Sequence, residues 1–191
     1  MTRILLMRHG HSVANQKGLI ISDPNTGCFD YGLTSQGKRE VREALNLYQD
    51  CLSTVTKIVS SDFLRTLETA KIISNALLIP LQLESDLRER FFGAFEGTSN
   101  TNYDAVWNCD QNGISQIENL ESVEQVSNRM TRCVHRLCNE HPDNVILIVS
   151  HGDPLQILMS VHHGHPAHKH REMKPLATAQ LVQLKMSLVT Q

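Results

Sequence analysis

The chain has 191 residues, of which 40% are hydrophobic and 20% charged, a composition that excludes a disordered tail and a coiled coil. Eighteen Lys and Arg stand against twenty Asp and Glu, a net charge of -2, so the basic surface that nucleic-acid binding needs is missing. The five cysteines are odd in number and contain no CxxC pair, which argues against a disulfide framework or a zinc ribbon and fits a reducing compartment.

A chain of this length buries about 70% of its unfolded surface, so one core suffices and a single domain over residues 1–191 is expected. Only four apolar residues, Ile4 to Met7, follow the short N-terminus, too few for a signal-peptide core. No apolar run approaches bilayer length. The expectation is a cytoplasmic protein with no membrane partner and no nucleic-acid partner; the sequence sets no oligomeric state.

Ile4 to Met7 is a continuous apolar run, as in a strand of a parallel sheet covered on both faces. Arg8-His9-Gly10-His11-Ser12 follows it. Gly18 to Gly32 holds Pro24, Gly27 and many polar residues and reads as a loop. Val41, Ala44, Leu45, Tyr48 and Leu52 then share one helical stripe, with Thr34 or Ser35 as N-cap. Lys57-Ile58-Val59 is the second strand, followed by Ser60-Ser61-Asp62. Phe63, Leu67, Ala70, Ile73 and Leu77 form a second helical stripe, capped by Asp62 and carrying Arg65 in its first turn.

Gly97 to Glu121, rich in Asn, Gln, Ser and Thr, reads as a long irregular segment. Tyr103 and Trp107 within it suit a small core of its own, or else a platform under a substrate lid. Val123, Val126, Met130, Val134 and Leu137 form a third helix, with Cys133 and Cys138 half-buried on it. Val145 to Val149 is the third strand, and Ser150-His151-Gly152 follows. A fourth helix starts at Pro154 with Asp153 as N-cap. His162, His163, His165, His168 and His170 lack a carboxylate or cysteine at ligand spacing and read as an exposed loop at a pocket rim, not a metal site. Ala179 to Leu184 alternates as a last strand. Strands alternating with helices predict a three-layer, doubly wound α/β fold with a mostly parallel sheet and helices on both faces.

In such folds the ligand crevice lies outside the carboxyl ends of the strands. The segments after the three buried runs therefore converge, and Arg8, Arg65, His9 and His151 form an anion pocket there. The helix start at Arg65 adds partial positive charge.

Four motifs carry a resemblance. They are Arg8-His9-Gly10-His11-Ser12 with Asn15; Ser60-Ser61-Asp62-Phe63-Leu64-Arg65-Thr66 with Thr69-Ala70; Leu87-Arg88-Glu89-Arg90 with Gly93 and Glu96-Gly97; and Ser150-His151-Gly152. In this order, over nearly the whole chain, they resemble the histidine phosphatase superfamily, also called the phosphoglycerate mutase-like family. The resemblance implies His9 as nucleophile, forming a phosphohistidine, with Arg8, Arg65 and His151 on the phosphoryl oxygens. It implies Glu89 as general acid and base, although Glu89 between Arg88 and Arg90 also reads as a surface salt-bridge cluster. Asn15, Arg90, Gly152 and Ser22 are further candidates for binding phosphate or substrate. No cofactor and no metal are implied, since arginines supply the positive charge.

The sequence departs from that family at three places. His11 stands where Glu is common. Asn119-Leu120-Glu121-Ser122 keeps only the Glu-Ser of a usual Gly-Gly-Glu-Ser, and Arg39-Glu40 replaces a usual Gln-Ala. The short segment between Gly97 and Val123 offers little cover against water, which favours hydrolysis of a small phosphomonoester over mutase chemistry. A cofactor-dependent phosphoglycerate mutase is the second expectation. A silent binding module is the third, and the intact His9, Arg65, Glu89 and His151 argue against it.

Overall fold

The computed structural model describes residues 2–113 and 117–185. Five strands form one sheet: β1 (Arg3–Arg8), β2 (Lys57–Ser60), β3 (Leu81–Leu83), β4 (Val145–Ser150) and β5 (Leu181–Gln183). Their order is β3-β2-β4-β1-β5. All neighbours are parallel except β5, which runs antiparallel to β1. The register places Arg8 beside Ser150 and Ser60 beside Val149. The carboxyl ends of the three inner strands therefore finish level, and the segments that leave them are neighbours.

Eight helices accompany the sheet among the described residues: α1 (Val13–Lys17), α2 (Pro24–Gly27), α3 (Ser35–Leu47), α4 (Gln49–Leu52), α5 (Leu64–Leu77), α6 (Tyr103–Asn112), α7 (Val123–Glu140) and α8 (Gly152–His162). Successive strand residues point to opposite faces, so the continuous apolar strands feed two cores. Ile4, Leu6, Ile146 and Ile148 pack with α7 and α8. Leu5, Met7, Leu147 and Val149 pack with α3 and α5 on the other face. The result is the expected three-layer α/β arrangement. A smaller cluster of Ile20, Phe92 and Val106, with Tyr103 and Leu120 against it, lies under the irregular segments.

Several local expectations are corrected. Gly97 to Glu121 is not a plain loop: it contains α6, which buries only Val106 of its ten residues and ends at Gly113 with φ 65°. One buried position among Asn and Asp gives no periodic stripe to read. Within that segment, residues 114–116 lie outside the described residues. Gly18 to Gly32 contains α2, capped by Asp23 with Pro24 at its first position. The stripe through Leu52 breaks at Tyr48 into α3 and α4. β3 is a three-residue edge strand, too short for a pattern.

Asp62 is not the cap of α5; Phe63 holds that position, and the Asp62 carboxylate takes a forked pair of hydrogen bonds from Arg88. Asp153 is not a cap either. α8 begins two residues earlier than expected, at Gly152 with His151 in the cap position. The last strand is shorter than Ala179 to Leu184 and covers Leu181–Gln183. No helix among the described residues is long and apolar enough to cross a membrane.

The loop after β1 is pinned by close packing against α3. A Cβ on Gly37 would lie 2.0 Å from the His11 carbonyl oxygen, and one on Gly10 would lie 2.7 Å from the Gly37 oxygen. Thr34 caps α3 and also donates through its hydroxyl to His11 O, while Glu40 accepts from His11 N. Gly37→Ala should improve helix propensity by about 0.5–1 kcal/mol, yet the clash is with backbone and an overpacked core loses about 1–3 kcal/mol. The expected net effect is a Tm lowered by about 2–8 °C for a chain of this size. Thermal denaturation that returns the wild-type Tm would show that α3 does not clamp this loop.

Candidate active site

The level carboxyl ends of β1, β2 and β4 deliver their side chains into one cavity of about 290 Å³. Arg8, His9, Asn15, Arg65, Glu89 and Gly152 all line it. His9 is buried, and its Nδ1 lies 2.8 Å from Gly10 O. A carbonyl only accepts, so the proton sits on Nδ1 and Nε2 keeps its lone pair. That lone pair faces Arg65 Nε at 3.3 Å. Burial, with Arg65 and Arg8 nearby, holds the His9 pKa well below its ordinary value. Neutral imidazole with an unprotonated Nε2, here accepting from Arg65 Nε–H, is the nucleophilic form.

His151 ends the third motif. Its Nε2 lies 3.0 Å from Ser61 Oγ, and its Nδ1 is buried without a hydrogen-bond partner. Ser61 Oγ already accepts from Phe63 N, so its hydroxyl donates to Nε2 and the proton is on Nδ1, 3.8 Å from Oε2 of the cavity-lining Glu89. Burial and the Arg65 charge lower the His151 pKa well below its ordinary value, so this donor is neutral. Arg8 donates through Nη1 to Leu176 O, and Arg65 through Nη2 to Ile21 O. Arg8 Nε and Arg65 Nη1 are buried with no partner. Three N–H donors from three strand ends thus lack an acceptor. Buried donors left this way are costly and call for a bound group.

Glu89 is the carboxylate facing them, 9% exposed, 3.7 Å from Arg65 Nη2 and 3.8 Å from His151 Nδ1. Its Oε1 accepts from the Arg90 backbone N–H. Burial raises its pKa to about 7 against the pull of Arg65. The loop that carries it is held by Arg129, which donates to the carbonyls of Asp86, Arg88 and Glu89 and pairs with Glu121. The Glu-Ser remnant is therefore structural: Glu121 anchors that loop, and Ser122 caps α7. His11 turns to Thr34, away from the cavity.

Asn15 lines the cavity, with its Oδ1 taken by Ser12 in the cap of α1. Gly152 sits against Arg8, where a Cβ would lie 3.3 Å from the guanidinium. Arg90 and Ser22 do not line this cavity. The Arg90 guanidinium makes a forked pair with Asp110 and reaches Asp153 and Glu121 O. Ser22 donates to Glu96 and accepts from Phe92 N, stapling two loops.

The opposite wall holds residues the sequence did not single out as binding. Asp153 accepts from Trp107 Nε1 and from His170 Nε2, each at 3.1 Å, besides its pair with Arg90. Arg171 lies 3.6 Å over the Trp107 ring and donates to Gln156 Oε1 at 2.6 Å. Trp107, Asp153, Gln156 and Arg171 all line the cavity. Tyr103 packs against the small core and also lines the cavity, and Trp107 forms cavity wall. The histidine-rich stretch is not simply an exposed loop, because His170 is fully buried in the Asp153 network. No group of three or more His, Cys, Asp or Glu placed to hold a metal occurs among the described residues. The only signal for this wall was Asp153 beside the Ser150-His151-Gly152 motif, hidden by its reading as a helix cap.

Comparison with known proteins agrees with this geometry. A family model described as histidine phosphatase superfamily (branch 1) matches residues 4–188. A Proteus mirabilis protein named probable phosphoglycerate mutase GpmB is 30% identical over 181 residues, covering 91% of this chain and 80% of that protein. Bacillus stearothermophilus YhfR superposes with a TM-score of 0.82 at 22% identity, over 96% of this chain and 90% of that one. The Entamoeba histolytica phosphoserine phosphatase, solved with 3-phosphoglyceric acid, gives a TM-score of 0.80 at 21% identity, over the same shares. Both structural likenesses are likenesses of fold.

A carboxyl whose pKa rises on folding, from 4.5 to about 7, binds its proton more tightly in the folded chain. Its contribution to stability is present below the unfolded value and is lost as pH rises through about 7. Glu89→Gln mimics the protonated form at every pH. The variant should match the wild-type Tm near about pH 5 and exceed it near about pH 8. Parallel Tm-against-pH curves for the two proteins would show that Glu89 is not buried against its charge.

Proposed function

The chain belongs to the histidine phosphatase superfamily, and from that premise we propose that it is a phosphatase acting on a small phosphomonoester through phospho-His9. The observation that carries this reading is the set of three buried, unpartnered donors, Arg8 Nε, Arg65 Nη1 and His151 Nδ1, grouped with the His9 imidazole, whose Nε2 lies beside Arg65. A tetrahedral dianion offers them acceptors.

In the first half-reaction, His9 Nε2 forms a bond to phosphorus as the ester oxygen leaves. Arg8, Arg65 and His151 stabilise the equatorial oxygens, where charge is concentrated in the transition state. Glu89, protonated in part at neutral pH because of its raised pKa, gives its proton to the departing oxygen. In the second half-reaction the Glu89 carboxylate takes a proton from water as that water attacks phosphorus. The P–N bond breaks, and inorganic phosphate and neutral His9 are restored. Gly10 O holds the His9 ring in one tautomer through both steps.

The names of the curated relatives favour a second reading, a phosphoglycerate mutase. The same phospho-His9 would then return its phosphoryl group to the bound monophosphate instead of water. That outcome requires water to be kept out while the product reorients. Against it stands the short cover, in which a 3-10 turn (Asn100–Asn102) and α6 are the helical elements among the described residues between Gly97 and Val123.

Protein incubated with a labelled phosphomonoester and quenched in alkaline detergent should carry label that survives base and is lost in acid in the wild type, and none in His9→Ala. A well-folded His9→Ala protein that still turns over would sink the nucleophile assignment. With 3-phosphoglycerate and a bisphosphoglycerate primer, inorganic phosphate should outpace 2-phosphoglycerate in one reaction mixture; the reverse result makes the protein a mutase.

Glu89→Gln should lose about 10²–10⁴-fold in kcat on an alkyl phosphate. The loss on an aryl phosphate, whose oxygen leaves without a proton, should be much smaller. Equal losses on both would limit Glu89 to positioning.

A further inference from the structure

Glu89 shares its cavity with a second carboxylate. Asp153, at the start of α8, lines the same 290 Å³ space, and one residue joins the two. The backbone N–H of Arg90 donates to Glu89 Oε1 at 3.0 Å, and the Arg90 guanidinium reaches Asp153 Oδ2 at 3.3 Å. That guanidinium is fully buried, forked onto Asp110 and bonded to Glu121 O. Arg90 therefore cannot turn without breaking the network. The other groups facing Glu89 are Arg8 from β1, Arg65 from α5, Tyr103 from α6, Arg129 from α7 and His151 ahead of α8. Tyr103 and His151 are neutral, since burial raises the phenol pKa and lowers that of the imidazole. Arg129 is paired with Glu121. Burial disfavours the Glu89 carboxylate, Arg65 and Arg8 favour it, and Asp153 is the anion among these groups that opposes the arginines.

We infer that Asp153 is a positioning residue for the general acid: it braces the Arg90 main chain that holds Glu89, and its negative charge keeps Glu89 in the acid form that a departing oxygen needs. Asp153 touches no reacting atom in this role. The inference rests on the reading of Glu89 as general acid and adds what sets the pH range over which that acid works. Asn at position 153 keeps the size and removes one negative charge from the wall, so Glu89 holds its proton less tightly. Asp110 supplies the control, because it grips the same guanidinium from the far side and does not line the cavity.

The test follows the Glu89 carboxyl by NMR of isotope-labelled glutamate side chains, with Glu89→Gln identifying the signal, and it needs no turnover. The wild-type carboxyl should titrate at about 7. In Asp153→Asn its proton affinity should fall by about three- to tenfold, and the alkaline fall of kcat on an alkyl phosphate should move to lower pH with it. Asp110→Asn, which loosens the same arginine, should shift the titration much less. An unmoved titration in Asp153→Asn would overturn the inference. Equal shifts in the two variants would overturn it as well, because loosening of Arg90 alone would then account for the effect. Should Asp153→Asn fail to fold, the wild type decides. Trp107 is the only tryptophan of the chain, and it donates to Asp153. Its emission should step as Glu89 loses its proton, and Glu89→Gln should abolish that step; no step, or one that survives Glu89→Gln, overturns the inference. A shifted Glu89 titration in a protein that releases no phosphate would sink the phosphatase reading and leave the role of Asp153 standing.

Discussion

The arrangement depends on holding several like-charged or dipolar N–H groups together, out of water, with no acceptor from the chain. Arg8 and Arg65 are both buried deeply enough for their pKa to fall, and each lowers that of His9. Left alone, such groups would spread apart or draw in water. The sheet prevents this, since β1 and β4 are paired along their full six-residue lengths up to the point where the donors emerge. The packing of Gly10 and Gly37 then removes the freedom of the loop that follows β1. Glu89 offsets part of the positive charge, and the same surroundings make it a carboxyl that exchanges its proton near neutrality.

Floor and opposite wall are built by different means. The floor is set by main-chain pairing: residues leave strands whose register is fixed by two cores. The wall is set by side chains far apart in sequence, with Arg90 and Asp153 joining α6, α8 and the segment ahead of α7 at Glu121. Chemistry tied to the floor is shared by everything that keeps the register. The wall differs in kind, since few of its contacts are local.

That division also explains what was legible in the sequence. His9, Arg65 and His151 could be placed because each follows a continuous apolar run or opens a helix with a buried stripe, and those patterns are local. Asp62 and Asp153 were misread for one reason: each stands where a cap belongs, and each is drawn instead to an arginine distant in the chain, Arg88 or Arg90. α6 escaped notice because it buries a single residue and is held by its ends and by Trp107, not by an apolar face. Arg171 directly follows a histidine-rich stretch that read as an exposed loop, and nothing nearby in sequence pointed to its partner Trp107. The wall is written in hydrogen bonds across 15 to 63 residues, most of them longer than a window of sequence displays.

The sealing of the Arg90 cluster has a consequence in electrolyte solution. Arg90 is fully buried, and its partners Asp110 and Asp153 are 7% and 6% exposed. Mobile ions cannot enter between them, so screening, which acts over about 8 Å in physiological salt, falls mainly on charges that face solvent. The pull of Arg8, Arg65 and Arg171 on an approaching dianion crosses open water and weakens as salt rises. The span between α6 and α8 does not share that sensitivity. Ionic strength therefore acts on the encounter with the ligand and leaves the shape of the vessel that receives it unchanged.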